Sequence, residues 1–193
     1  MAGMSRIYLA RHGETEWSRT GQHTGRADLP LTEHGESEAR TLGARLVALS
    51  FAHVFTSPLQ RARRTSELAG FAGRAEVVPD MMEWDYGRYE SRRAAEIRAE
   101  RPDWELFRDG CPGGETAADV GARADRVIAR VSTLDGDAIL FAHGHFLRVF
   151  TARWIGLPPD SARRFMLSTG ALCAVGYEHG RVEAPAIALW NAV

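Results

Sequence analysis

Four short apolar runs, each separated from the next by a helical or polar segment, constrain the fold of this chain more than any other feature. The runs cover residues 7–10, 52–56, 76–78 and 138–142. Strands that alternate with helices are joined by crossover connections and therefore pair in parallel. Two later apolar segments, 172–177 and 182–189, predict a β-hairpin. The sequence thus predicts an α/β three-layer sandwich: a mainly parallel open sheet with helices on both faces and an antiparallel edge.

Local signals predict where the helices begin and end. Thr32 is a typical N-cap for a helix with apolar residues at helical spacing. Ser57-Pro58 predicts an N-cap followed by proline at the first helical position, and Gly70 predicts the end of that helix. The segment 117–131 has the clearest amphipathic pattern, and 91–100 predicts a short helix inside an otherwise irregular region.

Length and composition are those of a globular protein. The chain has 193 residues, 45% hydrophobic and 25% charged, which predicts a single domain over 1–193. The net charge of −1 gives no field for nucleic acid or an anionic membrane, so neither is an expected partner. No apolar run is long enough to span a bilayer or to serve as a secretory signal, and two distant cysteines predict no disulfide framework. These features predict a cytoplasmic location.

Residues suited to phosphoryl chemistry follow each of the first four strands. Arg11 and His12 follow the first, Arg61 the second, Glu83 the third and His143 the fourth. The carboxyl ends of parallel strands lie at one edge of a sheet, where open α/β sheets bind ligands. All 24 Lys and Arg residues are arginine, so the abundance of arginine is not evidence for phosphate binding. Only the positions of Arg11 and Arg61 support it. We therefore expect the five side chains to share one pocket.

This set of side chains predicts transfer of a phosphoryl group to an imidazole. Neutral His12 would attack phosphorus, while Arg11 and Arg61 hold the oxygens in forked contacts and His143 donates a further hydrogen bond. Flanking arginines would keep the imidazole unprotonated in mild acid. Glu83 would protonate the departing oxygen and then take a proton from water.

The same residues belong to a longer ordered series of motifs. The series is Arg11-His12-Gly13-Glu14-Thr15, Ser57-Pro58-Leu59-Gln60-Arg61-Ala62, Glu83, Gly114-Glu115-Thr116 and His143-Gly144. Together these motifs resemble the histidine phosphatase superfamily, which has the phosphoglycerate mutase-like fold, and the matches extend over nearly the whole chain. The resemblance implies a phosphohistidine at His12, a phosphate pocket of Arg11, Arg61 and His143, and Glu83 as proton donor. It implies no metal and no other cofactor.

Three segments narrow the resemblance to one branch of the family. Residues 83–90, 109–115 and 141–148 are similar to acid phosphatases and sedoheptulose-bisphosphatase-like enzymes. The implied substrate is a small phosphorylated metabolite, and the product is inorganic phosphate. The expected substrate-binding residues are Ser18, His23, Thr24, Gly25, Tyr86, Gly144 and Arg148. Two positions depart from the family pattern: Ser18 replaces an asparagine, and Ser91 replaces a glycine after Glu90.

Several alternatives stay open at the level of sequence. The chain could be a cofactor-dependent phosphoglycerate mutase, or an inactive module that only binds phosphate. Arg61 could be a solvated helix residue, and His143 with His145 could be a metal pair. Nearby carboxylates compete with Glu83 for the acid role; they are Asp80, Asp85 and Glu90.

Two further structural questions also stay open. Trp104 and Phe107 fit either a lid over the pocket or core packing. The terminal hairpin offers a sheet edge, which leaves a homodimer open. Neither question concerns the side chains that are expected to carry out the reaction.

Overall fold

The computed structural model describes residues 6–193 and contains one sheet of six strands in the order β3-β2-β4-β1-β5-β6. The strands are β1 Ile7–Arg11, β2 His53–Thr56, β3 Glu76–Val77, β4 Ala138–Ala142, β5 Leu172–Tyr177 and β6 Pro185–Ala192. Strands β3, β2, β4 and β1 pair in parallel, whereas β5 runs antiparallel to β1 and β6 antiparallel to β5. The predicted sheet, with its hairpin at one edge, is confirmed.

Seven α-helices lie in the described part of the chain. They are α1 Glu16–Thr20, α2 Glu33–Leu46, α3 Gln60–Ser66, α4 Ala94–Glu100, α5 Leu106–Asp109, α6 Ala117–Val131 and α7 Gly144–Trp154. A π-helical turn, Glu67–Phe71, continues α3 and contains Gly70 at φ +98°. Helices α1 and α5 were not predicted. Within residues 6–193, no helix is both long and apolar enough to cross a bilayer.

The helices cover both faces of the sheet. Side chains alternate along a strand, so Tyr8 and Ala10 join a core with Leu42 and Leu46 of α2. On the other face, alternate residues of the same strands pack with α6 and α7. This second core includes Leu9, Leu140, Val120, Val127 and Phe150. Full burial of one such large apolar side chain stabilises the fold by about 1.5–3 kcal/mol.

Only one of the two predicted N-caps is where the sequence indicated. Thr32 caps α2, because its Oγ1 accepts a hydrogen bond from the Gly35 amide at 3.0 Å. Helix α3 begins at Gln60, so the prediction of an N-cap at Ser57 was wrong. The Gln60 amide donates instead to Oδ1 of Asp28 at 2.7 Å. Asp28, which is remote in sequence, therefore accepts a hydrogen bond from the first turn of α3.

Strand register brings two histidines to the same sheet edge. Arg11 of β1 lies opposite Ala142 of β4, and the His12 amide donates to the Ala142 carbonyl at 3.0 Å. The residues that follow this pair, His12 and His143, therefore lie at the same edge of the sheet. A Cβ atom on Gly13 would lie 2.2 Å from the Gly35 carbonyl oxygen, so only glycine permits this approach of the loop to α2.

Candidate active site

A cavity of about 210 Å³ opens at the carboxyl edge of the parallel strands. Most residues predicted for the site line it: Arg11, His12, Ser18, His23, Thr24, Glu83, Tyr86, Gly144 and Arg148. Arg61, His143 and Gly25, which were also predicted for the site, are not among the lining residues. Gly21, Gln22, His145 and Leu167 also line the cavity and were not assigned to substrate binding from the sequence. The volume is below that of pockets for drug-sized ligands, which suits a small molecule.

His12 is a neutral imidazole with one nitrogen fixed. Its Nδ1 lies 2.7 Å from the Gly13 carbonyl oxygen, which only accepts, so Nδ1 carries the proton and donates. The lone pair is consequently on Nε2. Burial holds the pKa of His12 well below its usual value, and the charges of Arg61 and Arg11 lower it further. The imidazole is thus prepared to act as a nucleophile through Nε2.

Protonation of His12 is expected only well below pH 6.5. An NMR titration of its ring nitrogens in the free protein should show Nε2 unprotonated at neutral pH and in mild acid, with His12→Gln assigning the signal. Arg11→Met should move the titration to higher pH, because the variant removes a positive charge that opposes protonation. A His12 ring that is protonated at pH 7 would contradict this description of the site.

Arg61 and His143 form a buried pair next to His12. Nε of Arg61 donates to Nδ1 of His143 at 3.2 Å, so the His143 proton is on Nε2, which donates to Ser57 Oγ at 2.7 Å. The rings of His12 and His143 are 5.2 Å apart between centroids. Burial holds the pKa of His143 well below its usual value, and Arg61 adds to this effect. Both ring nitrogens of His143 are therefore engaged by protein groups.

Arg61 is fully buried, so the alternative of a solvated helix residue is wrong. Its Nη atoms donate to carbonyl oxygens of the neighbouring loop: Ala27 at 2.8 Å, Thr24 at 3.1 Å and Gly25 at 2.9 Å. The structure thus directs these donors to protein acceptors rather than into the cavity. Arg61 fixes the loop that lines the pocket and the tautomer of His143.

Arg11 places a guanidinium group in the cavity wall. Its Nη1 donates to the Leu167 carbonyl oxygen at 2.5 Å, while its buried Nε has no hydrogen-bond partner among the described residues. The guanidinium lies against Gly144, where a Cβ atom would come within 3.2 Å of Nε. Burial lowers the pKa of Arg11, and the charge of Glu83 partly offsets that effect. An unpaired buried N–H next to a cavity suits an anionic ligand.

Glu83 is held at the N-terminus of α7. Its Oε1 accepts from the amides of Trp84 and Phe146, each at 2.9 Å, and its Oε2 accepts from the His145 amide at 3.0 Å. The carboxyl group is nearly buried, at 5% exposure of the residue, but lines the cavity. Oε2 therefore has the greater free capacity for a proton or a ligand.

The three competing carboxylates lie elsewhere. Asp80 forms an ion pair with Arg126 at 2.6 Å. Glu90 accepts from the amides of Gly25 and Ala27, and Asp85 accepts from the Gly87 amide. None of these three acids lines the cavity, which leaves Glu83 as the carboxyl group in the site.

A partly buried ion pair between Arg123 and Glu115 fixes the backbone on both sides of Glu83. Arg123 contacts Glu115 at 2.8 Å and donates to the carbonyl oxygens of Met82 and Glu83. Glu115 in turn accepts from the Asp85 amide at 2.9 Å. The sequence predicts no role in the site for either Arg123 or Glu115, although Glu115 belongs to the motif Gly114-Glu115-Thr116. The two residues together position the segment from which Glu83 extends.

The loop around His23 forms another wall of the cavity. Nδ1 of His23 lies 2.7 Å from the Arg92 carbonyl oxygen, and the His23 carbonyl oxygen accepts a hydrogen bond from the Ser91 amide at 2.9 Å. Ser91 has φ of +65°, in the left-handed region that favours glycine. Serine thus accommodates this turn at a backbone cost of about 1–2 kcal/mol.

Ser18 has a local task besides lining the cavity. Its Oγ accepts from the Thr15 amide at 2.9 Å while Thr15 Oγ1 accepts from the Ser18 amide, which makes a capping box at the start of α1. This pattern explains why a helix begins in the polar segment between β1 and α2, where none was predicted. The Thr-x-x-Ser spacing was the available signal for α1.

Aromatic side chains pack around His145, which also lines the cavity. Tyr86 Oη lies 2.6 Å from Nδ1 of His145, and Phe107 packs against the same ring with centroids 5.5 Å apart. Trp104 packs against His23 at 5.7 Å. Trp104 and Phe107 are both buried in the core, so they support the cavity wall. In the described part of the chain, no group of three or more His, Cys, Asp or Glu is arranged to hold a metal ion.

Comparisons with known proteins agree with this geometry. The model of the histidine phosphatase superfamily (branch 1) matches residues 7–192. An acid phosphatase from Mycobacterium tuberculosis is 39% identical over 91% of this chain and 88% of its own length. Sedoheptulose 1,7-bisphosphatase from Saccharomyces cerevisiae is 39% identical over 79% of this chain and 68% of its own length.

Further similarities extend to a mutase by name and to a solved structure. A protein from Photorhabdus laumondii named probable phosphoglycerate mutase GpmB is 32% identical over 91% of this chain and 86% of its own length. The solved structure of the open reading frame Rv3214 from Mycobacterium tuberculosis superposes with a TM-score of 0.91, at 36% identity and 98% coverage of both chains. The chain therefore belongs to branch 1 of the histidine phosphatase superfamily and is a phosphoric monoester hydrolase of that family.

Proposed function

We propose that this phosphatase hydrolyses small phosphomonoesters in two steps through a phosphohistidine on His12. The observation that carries the proposal is the buried neutral imidazole, whose Nδ1 is fixed by the Gly13 carbonyl. The Arg11 guanidinium and the Glu83 carboxyl group line the same cavity as this imidazole. In this proposal His12 is the nucleophile, Arg11 binds the anion and Glu83 carries the proton, and all three line one small pocket.

In the first step, Nε2 of His12 attacks phosphorus and the bond to the ester oxygen breaks. The departing alkoxide takes a proton from Oε2 of Glu83, which leaves Glu83 as a carboxylate. Arg11 offers N–H donors to the phosphoryl oxygens, and Arg61 adds positive charge from behind the imidazole. His143 stays neutral between Arg61 and Ser57, and its ring supports the orientation of His12. Positioning and charge stabilisation supply most of the rate in such transfers.

In the second step, water attacks the phosphorus of phosphohistidine. Glu83 takes a proton from that water, the N–P bond breaks, and His12 returns to its neutral form with release of inorganic phosphate. The three amides that hold Glu83 keep its carboxyl group in one place through both steps. A single carboxyl group can therefore serve as acid and then as base.

The rest of the substrate would contact the outer lining. These positions are Ser18, His23, Thr24, Tyr86, Gly144 and Arg148, with Gly25 acting through the backbone that Arg61 fixes. A cavity of about 210 Å³ accommodates a phosphoryl group and a short carbon chain better than a nucleotide. The proposal therefore favours small phosphorylated metabolites as substrates.

Hydrolysis and mutase action are separated by one assay. The protein should release inorganic phosphate from a panel of phosphate esters that includes sedoheptulose 1,7-bisphosphate and p-nitrophenyl phosphate. In a parallel arm, 3-phosphoglycerate is supplied with a bisphosphoglycerate primer, and isomer and phosphate are both measured. Phosphate release should dominate in each arm. Rapid isomerisation without phosphate release would overturn the proposal in favour of a mutase, and no turnover in either arm would favour a binding module.

We also propose that the reaction takes place in the cytoplasm. Cys111 and Cys173 are both free and buried. Reducing compartments keep thiols unpaired, which supports this location.

A further inference from the structure

Arg148 brings a second guanidinium group into the cavity. It lies four residues after Gly144 on α7, and residues at that spacing share one face of a helix. Both line the cavity, together with Arg11. Among the residues that line the cavity there are thus two guanidinium groups and one carboxyl group, that of Glu83. Burial favours the neutral forms of the lining histidines and of Tyr86.

Two contacts with the protein hold the guanidinium group of Arg148 in place. Its Nε donates to the Ala162 carbonyl oxygen at 3.1 Å, and its central carbon lies 4.9 Å from the centre of the Phe107 ring. These contacts use Nε and one face of the group. Both Nη atoms keep their donors in a forked arrangement, which matches the geometry of a carboxylate or a phosphoryl group.

No carboxylate within the described residues forms an ion pair with Arg148. Arg153 of the same helix, by contrast, pairs with Asp125 at 2.9 Å, as do many surface arginines with their neighbours. A half-buried cation without a counter-ion is costly, and a ligand anion would offset that cost. Burial lowers the pKa of Arg148, and the charge of Glu83 offsets only part of that effect.

We propose that Arg148 binds a second anionic group of the substrate, a carboxylate or a second phosphoryl group, while Arg11 holds the phosphoryl group that is transferred. This inference rests on the proposed phosphatase function and names the class of substrate for it. The alternative explanation is that Arg148 only clamps α7 to the turn Pro159–Arg164. A clamp would affect all substrates alike, whereas a binding subsite discriminates between them.

The test compares substrates that differ in one anionic group. Glycerol 3-phosphate and 3-phosphoglycerate differ only at the terminal carbon, which is a hydroxymethyl group in the first and a carboxylate in the second. Fructose 6-phosphate and fructose 1,6-bisphosphate form the pair for a second phosphoryl group. Phosphate release without a primer gives kcat/KM for each substrate, and the ratio within each pair is the readout.

In the wild-type protein, at least one pair should show a clear preference for the doubly anionic member, and which pair does so identifies the anion. Arg148→Met retains the alkyl packing on Phe107 and should lower that ratio about tenfold to a hundredfold, mainly through KM. Arg148→Lys should restore part of it. Arg164→Met removes an exposed arginine of the adjoining turn and serves as the matched control, with an unchanged ratio.

The outcomes are distinguishable. Wild-type turnover with no preference in either pair, or an equal loss for both members in Arg148→Met, would overturn the inference and leave the phosphatase proposal in place. Failure of the wild-type protein to release phosphate from any of the four esters would overturn the proposed function, and the inference would fall with it. Thermal unfolding of each variant separates loss of binding from loss of folded protein.

Discussion

Replacement of His12 by alanine is expected to lower kcat by at least about 10⁴-fold on every phosphomonoester. The variant lacks the imidazole that we propose forms the bond to phosphorus, whereas Arg11 and Glu83 stay in the cavity lining. Substrate binding should therefore fall much less than turnover. Phosphate release under saturating substrate measures the first effect, and inhibition by inorganic phosphate or equilibrium dialysis measures the second.

A matched control for this variant is His34→Ala. His34 lies outside the cavity on α2, and its replacement should leave turnover within a few-fold of the wild type. If His12→Ala turned over substrate at a rate close to that of His34→Ala, the covalent mechanism would be wrong. Unchanged unfolding temperatures would show that neither result comes from loss of structure.

Glu83→Gln is expected to slow poor leaving groups much more than good ones. An alkyl phosphate should lose about 10² to 10⁴ in kcat/KM, which is the range for general acid catalysis. p-Nitrophenyl phosphate should lose far less, because its leaving group departs without a proton. The parameter kcat/KM is used because it reports the steps up to transfer of the phosphoryl group and excludes hydrolysis of the intermediate.

Glu90→Gln provides the control for the identity of the acid. Glu90 makes two hydrogen bonds to amides of the adjacent loop but does not line the cavity. Its replacement should affect alkyl and aryl phosphates alike. Equal losses for the two substrates in Glu83→Gln, combined with selective loss in Glu90→Gln, would assign the acid role to Glu90.

The convergence of the site could be predicted from the sequence because strand order and register enforce it. His12 and His143 follow neighbouring parallel strands, so any sheet of this type brings them to one edge. The amphipathic pattern of 117–131 and the buried run 138–142 likewise determined their elements without help from distant residues. These features depend on local periodicity, which a sequence displays directly.

Other features depended on contacts between distant residues and could not be predicted. The first turn of α3 is satisfied by Asp28, so the local signal of Ser57-Pro58 placed the helix start too early. The hydrogen bonds from Arg61 to the carbonyl oxygens of Ala27 and Gly25 join distant residues, and nothing local to Arg61 indicates them. Arg123 donates to the carbonyl oxygens of Met82 and Glu83, which are 41 and 40 residues away in sequence. Pairings of this kind become visible only once the fold is assembled.

The most direct test of the account is to trap the covalent intermediate. The wild-type protein is mixed with p-nitrophenyl phosphate, quenched rapidly in alkali to preserve phosphohistidine, and digested for mass spectrometry. We expect one added phosphoryl group on the peptide that contains His12, formed and lost at rates compatible with turnover, and absent from His12→Ala. Steady release of phosphate with no phosphorylated peptide at any quench time, or with the phosphoryl group on another residue, would contradict the central claim.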